Sequence, residues 1–210
     1  MNRYQDWSLI PSPARIVSGV AFTSALYAAV DLAPGYAPGP EAVAYDDGGG
    51  STLALGLDGA GPVLVVDDHD ERDAPMSREQ VVSALGLTGL PGHLSPADDR
   101  TFCGAARWDG RSWSPAFGVP GQVVGNLVDE LHLLGEADQI LADVTGGEAE
   151  RPALAALLGA VRTGAWSRDT LAAALRLTPY EEDEELEAEP DVDAATEALE
   201  VYRPLLLRLL

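Results

Sequence analysis

The first apolar segment of the chain repeats at helical spacing. Ser12 can cap its start, Pro13 suits the first helical position, and the side chains from Ile16 to Val30 recur every three or four residues. This uncharged segment is shorter than the ~20 residues needed to cross a bilayer, and the residues before it are unlike the start of a signal peptide. We therefore expect a buried helix here.

The next apolar runs are short and predict a β-hairpin. Thr52–Leu57 and Val63–Val66 flank the turn sequence Asp-Gly-Ala-Gly. A short helix should follow, because Ser77 and Gln80 have the spacing of a capping box and Gly86 stands where a helix commonly ends.

A second hairpin is predicted around Asp109-Gly110, a pair typical of a type I′ turn. Such a turn would pair Trp108 with Arg111, and Ala106 with Trp113. Alternation then assigns Phe102, Ala106, Trp108, Trp113 and Phe117 to a core-facing side, and Cys103, Ala105, Arg107, Ser112 and Ser114 to the other.

Helical periodicity dominates the rest of the chain. One helix is predicted from Gln122 through Leu141, followed by helices over Pro152–Arg162 and Arg168–Leu177. Glu181–Glu200 contains eleven acidic residues and no base, and its first half has the composition of a solvated linker. The chain then ends in the apolar sequence Val201–Leu210.

This order of elements predicts an α+β fold with an N-terminal helix, a central antiparallel sheet built from hairpins, and C-terminal helices. A parallel sheet would need a helix between successive strands. We expect one domain over residues 1–178, an acidic linker over 179–193, and a C-terminal helix over 194–210 that packs on the body or on a partner.

The charged residues of the chain exclude some classes of function and favour others. The chain has 34 acidic residues, 13 arginines and no lysine, for a net charge of −21. Such a surface repels bare nucleic acid and attracts basic proteins. Without lysine there is no pyridoxal Schiff base and no Walker-type phosphate loop.

The lone Cys103 forms no intramolecular disulfide, which fits a cytoplasmic protein.

One acidic cluster, Asp67–Asp73, follows the second apolar strand and offers metal ligands. Carboxylates with one imidazole suit Mg²⁺, Mn²⁺ or Ca²⁺. The candidate ligands are Asp67, Asp68, His69 and Asp70. The alternative is a solvated connection from strand to helix, with Arg72 and Arg78 as local counter-ions.

The stretch from Val63 to Asp73 resembles the start of a response-regulator receiver domain, where an apolar strand ends in paired acids that help to bind magnesium. Asp109 follows Asp67 by 42 residues, near the spacing expected of the phospho-acceptor. The chain departs from the pattern in two respects. Receivers keep a lysine near the active site, and Asp109 belongs to a predicted hairpin turn.

Other reactive residues have ordinary structural interpretations. His132 lies three residues after Asp129, but no second acid-x-x-His pair completes a di-iron site, so we place His132 at a helix edge near Asp129 and Glu136. Cys103 is expected in mid-strand, where nothing activates a thiolate. Gly48–Thr52 is interpreted as a loop.

We therefore expect a non-catalytic protein without a cofactor that binds another, basic protein, such as an immunity protein or antitoxin that neutralises a basic toxin. The candidate contact residues are Glu181, Glu182, Asp183, Glu184, Glu185, Trp108, Arg111 and Trp113, although the two tryptophans equally suit a core face. The alternatives are a metal-dependent enzyme or small-ligand sensor using Asp67–Asp73, and a homo-oligomer formed through Val201–Leu210.

Overall fold

The computed structural model of the protein describes residues 5–32, 36–38, 41–46, 49–71, 75–89, 101–179 and 186–210. The chain forms two compact units. Unit 1 comprises Met1–Ile16 and Gly35–Val128, and unit 2 comprises Val17–Pro34 and Asp129–Leu210.

Unit 1 is built on an antiparallel sheet whose strands lie side by side in chain order. Its strands are β1 (Tyr36–Pro38), β2 (Ala42–Asp46), β3 (Thr52–Asp58), β4 (Gly61–Asp67), β5 (Gly104–Trp108) and β6 (Trp113–Gly118). The predicted hairpin of β3 and β4 is confirmed, with Leu55 opposite Leu64.

Helix α2 (Arg78–Leu85) contributes to the apolar core on one face of this sheet. Its Val81 and Leu85 are buried in a cluster with Val63 and Val65 of β4. The predicted caps are confirmed: Ser77 and Gln80 form a capping box, and Gly86 ends the helix in the left-handed conformation. A further helix of unit 1, α3 (Gly121–Val128), contacts β3 and β4.

The second hairpin forms, but its predicted register is wrong. Trp108 lies opposite Trp113, so the loop has four residues rather than two. Gly110 has a positive φ of 100°, whereas Asp109 does not. Asp109 Oδ1 instead accepts hydrogen bonds from the backbone nitrogens of Arg111, at 2.7 Å, and Ser112, at 2.8 Å. This Asx-type turn explains the longer loop.

A bulge between Ala105 and Ala106 also changes the predicted faces. It places Phe117 opposite Ala105. Phe117 therefore packs in the cluster beside α2 instead of sharing the side of Trp113. Phe102 precedes β5, where it pairs with Met76, and packs in the same cluster. Both sides of β5 are buried, because Ala105 and Ala106 are each fully covered.

Unit 2 is mainly helical. Its elements are α1 (Pro13–Ala29), which begins in unit 1, then α4 (Glu130–Thr145), α5 (Arg151–Arg162), α6 (Arg168–Ala174) and α7 (Val192–Leu209), with a small sheet of β7 (Gly147–Ala149) and β8 (Leu177–Pro179). The small sheet was not predicted, and Leu177 belongs to it rather than to a helix.

The single helix predicted from Gln122 is interrupted at Asp129. That residue has extended backbone, and its Oδ1 accepts a hydrogen bond from Leu131 N at 3.0 Å, so it caps α4. The interruption separates α3 from α4.

The predicted α+β class is confirmed, with an N-terminal helix, an antiparallel sheet and C-terminal helices. The boundaries at residues 178 and 193 stay predictions. Among the described helices, none has both the length and the apolar character that crossing a membrane requires.

Candidate functional site

Asp68 is the buried centre of the acidic cluster. It directly follows β4 and is 2% exposed. Its Oδ2 accepts hydrogen bonds from Gln122 N at 2.6 Å and Val123 N at 3.2 Å. Its own backbone nitrogen donates to Cys103 Sγ at 3.3 Å. Asp68 therefore caps a helix that begins more than fifty residues later in the chain.

The start of α3 explains why a distant carboxylate is needed. Pro120, the residue before the helix, has no side-chain acceptor for the unpaired N–H groups of the first turn. A negative charge at this end is also favoured by the helix dipole. Gly121 permits the approach: its φ is +72°, and a Cβ there would lie 2.6 Å from Asp68 Oδ2.

Ser51, His69 and Asp70 extend this arrangement towards solvent. Ser51 Oγ lies 3.0 Å from His69 Nδ1, and His69 Nε2 lies 3.1 Å from Asp70 Oδ1. Ser51 Oγ also donates to Asp68 Oδ1 at 3.4 Å and accepts from His69 N at 3.3 Å. With Ser51 only 3% exposed, its hydroxyl joins the residue before β3 to those after β4. The hydrogen bonds of Ser51 thus form a structural network between these two parts of the chain.

The structure brings part of the predicted metal set together. One ligand atom from each of Asp68, His69 and Asp70 lies within 4.8 Å of the others, whereas Asp67 is outside this group. Asp68 already accepts hydrogen bonds on both oxygens, including one from Asp70 N at 3.1 Å. A metal would compete with these bonds. The metal site stays a prediction, and Asp73 lies outside the described residues.

The resemblance to a receiver domain does not extend to the arrangement of its acids. Strands β4 and β5 are antiparallel, with Val63 opposite Arg107 and Val66 opposite Gly104. Asp67 therefore lies at one end of this strand pair, and Asp109, which follows β5, lies at the other. The two acids do not share a site.

The three candidate contact residues of the second hairpin differ in accessibility. Trp113 is 4% exposed, and its Nε1 donates to Pro11 O at 2.7 Å. Trp108 is half-buried and packs edge-on against Trp113, with ring centroids 5.4 Å apart. Arg111 is exposed. Trp113 is thus a core residue, and a contact role for Trp108 and Arg111 stays a prediction.

The acidic candidates Glu181, Glu182, Asp183, Glu184 and Glu185 lie outside the described residues. The part of the chain that follows them is acidic and exposed at Asp193, Glu197 and Glu200 of α7. Unit 2 as a whole carries 20 of the 34 acidic residues and 6 of the 13 arginines.

Burial shifts the pKa values of both Cys103 and His132. Burial raises the pKa of the Cys103 thiol to about 11, which keeps it protonated near neutral pH. Burial lowers the pKa of His132, and its Nε2 lies 3.8 Å from Glu136 Oε2, the predicted neighbour.

Sequence reasoning missed an open pocket in unit 1 with a volume of about 460 Å³. Its described lining residues are Glu41, Ala42, Gly56, Leu57, Asp58, Gly59, Val63, Gly86, Leu87, Thr88 and Gly89. The two glycine-rich segments after β3 and α2 were visible in the sequence, but the first was interpreted only as a hairpin turn and the second only as the end of a helix followed by a loop. Their meeting depends on the tertiary fold.

Comparison of the chain with family models, curated proteins and solved structures finds no match.

Proposed function

We propose that this chain binds a basic protein partner through its acidic surface and does not transform a substrate. The observation that carries the proposal is the excess of exposed acidic residues in unit 2. In its most concrete form the chain is an immunity protein or antitoxin whose partner is a basic toxin, such as a nuclease.

The acidic excess persists despite the ion pairs in unit 2. Arg168 Nε lies 2.8 Å from Asp193 Oδ1, and Arg203 Nη2 lies 2.6 Å from Glu200 Oε1. Arg162 likewise pairs with Glu130. These arginines are already held by acids of the same unit, while the acidic residues outnumber the arginines more than threefold. An electrostatic field of one sign speeds association with an oppositely charged protein and disfavours association with proteins of the same charge.

The hydrogen bonds of Asp68 weaken the case for chemistry at the acidic cluster. Its carboxylate is occupied by the first turn of α3, and Ser51 is buried beside it. Cys103 is buried as a protonated thiol. The groups most able to act as ligands or nucleophiles are thus used in holding unit 1 together, which favours binding over catalysis.

The test is a titration of the full chain with each basic protein encoded beside its gene, followed by calorimetry. We expect one of these proteins to bind with 1:1 stoichiometry and a dissociation constant well below that of polylysine, the control for non-specific attraction. The proposal is wrong if every neighbouring basic protein binds no more tightly than polylysine.

A further inference from the structure

A histidine and a glutamate face each other on one turn of α4. His132 and Glu136 are four residues apart, so their side chains share one face of the helix. His132 Nε2 lies 3.8 Å from Glu136 Oε2, which is too far for a hydrogen bond. The exposed fractions of the two side chains are 45% and 23%, so an ion from solvent can reach the gap between the two atoms.

This pair differs from an ordinary ion pair. In an ion pair each partner stabilises the charge of the other, so the pKa of the histidine rises and that of the glutamate falls. Burial here has the opposite effect, because it lowers the pKa of His132 and raises that of Glu136. Within the part of the chain that the structure describes, neither side chain has another hydrogen bond or ion pair. The two groups are therefore desolvated without being compensated by a close partner.

The protonation states of the pair suit a metal ion. Metal ions bind the unprotonated imidazole and the ionised carboxylate. The lowered pKa of His132 leaves its imidazole neutral near pH 7. The pKa of Glu136 is raised by burial, and a bound cation would favour its ionised form. One nitrogen and one carboxylate oxygen are thus presented side by side on α4.

The spacing of the two atoms also suits a small transition-metal ion. A tetrahedral zinc ion with bonds of about 2.1 Å separates two of its ligand atoms by about 3.4 Å. The 3.8 Å between Nε2 and Oε2 is close to this separation, and small rotations of two partly exposed side chains close the difference. A mixed nitrogen and oxygen ligand set favours Zn²⁺ over Mg²⁺, which prefers oxygen ligands alone.

Tyr27 of α1 brings a second helix of unit 2 close to the pair. Burial, and then the charge of Glu136, raise the pKa of the Tyr27 phenol. The phenol stays protonated near neutral pH and has an interaction of its own, so it is not among the proposed ligands. The two ligands belong to α4, whose backbone fixes their spacing.

We infer that His132 and Glu136 form a binding site for a divalent transition-metal ion such as Zn²⁺, with water molecules as its remaining ligands. The contrast with Asp68 supports this choice, because the carboxylate of Asp68 already accepts hydrogen bonds from the first turn of α3. The inference goes beyond the proposed function and stands whether or not a protein partner binds unit 2.

The test is a titration of the isotopically labelled full chain with ZnCl₂, followed through the NMR signals of the histidine ring nitrogens. We expect Zn²⁺ to shift the Nε2 signal of His132 with a dissociation constant below about 100 µM. MgCl₂ is the control for general attraction of cations to an acidic protein. At the same concentration it should leave the His132 signal unchanged.

Two variants and one control test the assignment to this pair. Glu136→Gln should weaken Zn²⁺ binding at His132 at least about ten-fold, because the amide lacks the charge of the carboxylate. His132→Ala should abolish the shifts that Zn²⁺ causes in the amide signals of α4, while dispersed signals verify that the variant is folded. Asp143→Asn removes an exposed acid from the same helix and should leave the affinity unchanged.

Four results would overturn the inference. The first is a His132 signal that Zn²⁺ leaves unchanged, and the second is an equal shift with Mg²⁺. The third is a loss of affinity in Asp143→Asn as large as that in Glu136→Gln. The fourth is a shift confined to His69, which would place the ion in the acidic cluster of unit 1 instead.

Discussion

Asp68 Oδ2 lies 2.6 Å from the backbone nitrogen of Gln122 and joins the end of β4 to the start of α3. The carboxylate of Asp68 replaces the cap that Pro120 is unable to provide. Asp68, one of the four candidate metal ligands predicted from the sequence, therefore has a defined structural role.

Replacing Asp68 by Asn should destabilise unit 1 by about 2–3 kcal/mol, because the amide loses the charge and turns an NH₂ group towards N–H donors or towards Ser51. Asp70→Asn is the control, since the Asp70 side chain is 76% exposed. Urea unfolding measures the free energy of unfolding of both variants. Micromolar affinity for Mg²⁺, Mn²⁺ or Ca²⁺ that Asp68→Asn abolishes would contradict a purely structural role.

Gly121→Ala should also destabilise unit 1, by about 2 kcal/mol, since the residue has φ of +72° and its new Cβ would press on the carboxylate of Asp68. Gly89→Ala is the matched control, because the added Cβ there meets open space. Thermal unfolding of the two variants gives the comparison. Equal melting temperatures would argue against the close approach of Gly121 to Asp68.

Tyr202 and Ser24 form a buried hydroxyl pair in unit 2, with their oxygens 2.8 Å apart. Tyr202→Phe should cost about 1 kcal/mol, because Ser24 loses its partner, and Ser24→Ala should remove most of that penalty in the double variant. A double-mutant cycle measured by urea unfolding tests the coupling, and additive effects would exclude it.

The raised pKa of Tyr202 should also make the protein less stable at alkaline pH. Burial raises the pKa of Tyr202 to about 12, above its ordinary value of 10.0. The folded state thus holds this proton more tightly than the unfolded state, so its stabilising effect is complete below pH 10 and disappears as the pH rises towards 12. Tyr202→Phe should flatten this part of the stability profile.

Cys103 should resist alkylation in the folded protein. It is 4% exposed, and its raised pKa leaves little thiolate at pH 8. We expect iodoacetamide to modify it at least about a hundred-fold more slowly in buffer than in urea, where the thiol regains ordinary reactivity. Mass spectrometry measures both rates. Rapid modification without urea would show that Cys103 is accessible and activated.

The sequence predicted best the features that neighbouring residues decide. Ser77, Gln80 and Gly86 lie within ten residues of one another, and both caps of α2 form as expected. The two-residue turn predicted at Asp109 was wrong. The side chain of Asp109 accepts hydrogen bonds from the N–H groups of Arg111 and Ser112, and this lengthens the loop.

Contacts between residues far apart in the sequence could not be predicted from local patterns. Asp68 reaches Gln122 across 54 residues, and no local pattern pairs them. The absence of a capping side chain before α3 was the one signal that a distant acceptor was required. The pocket likewise depends on Arg107 joining Asp58 to the end of α2.

The association rate with the basic partner, measured by stopped flow against salt concentration, tests the central claim most directly. The claim predicts a rate that falls at least about ten-fold between 20 and 300 mM salt. It also predicts slower association when Glu181, Glu182 and Glu184 are changed to Gln than when three acids of unit 1, Asp46, Asp70 and Glu79, are neutralised. A rate that is independent of salt and equal in the two variants would contradict recognition through the acidic surface.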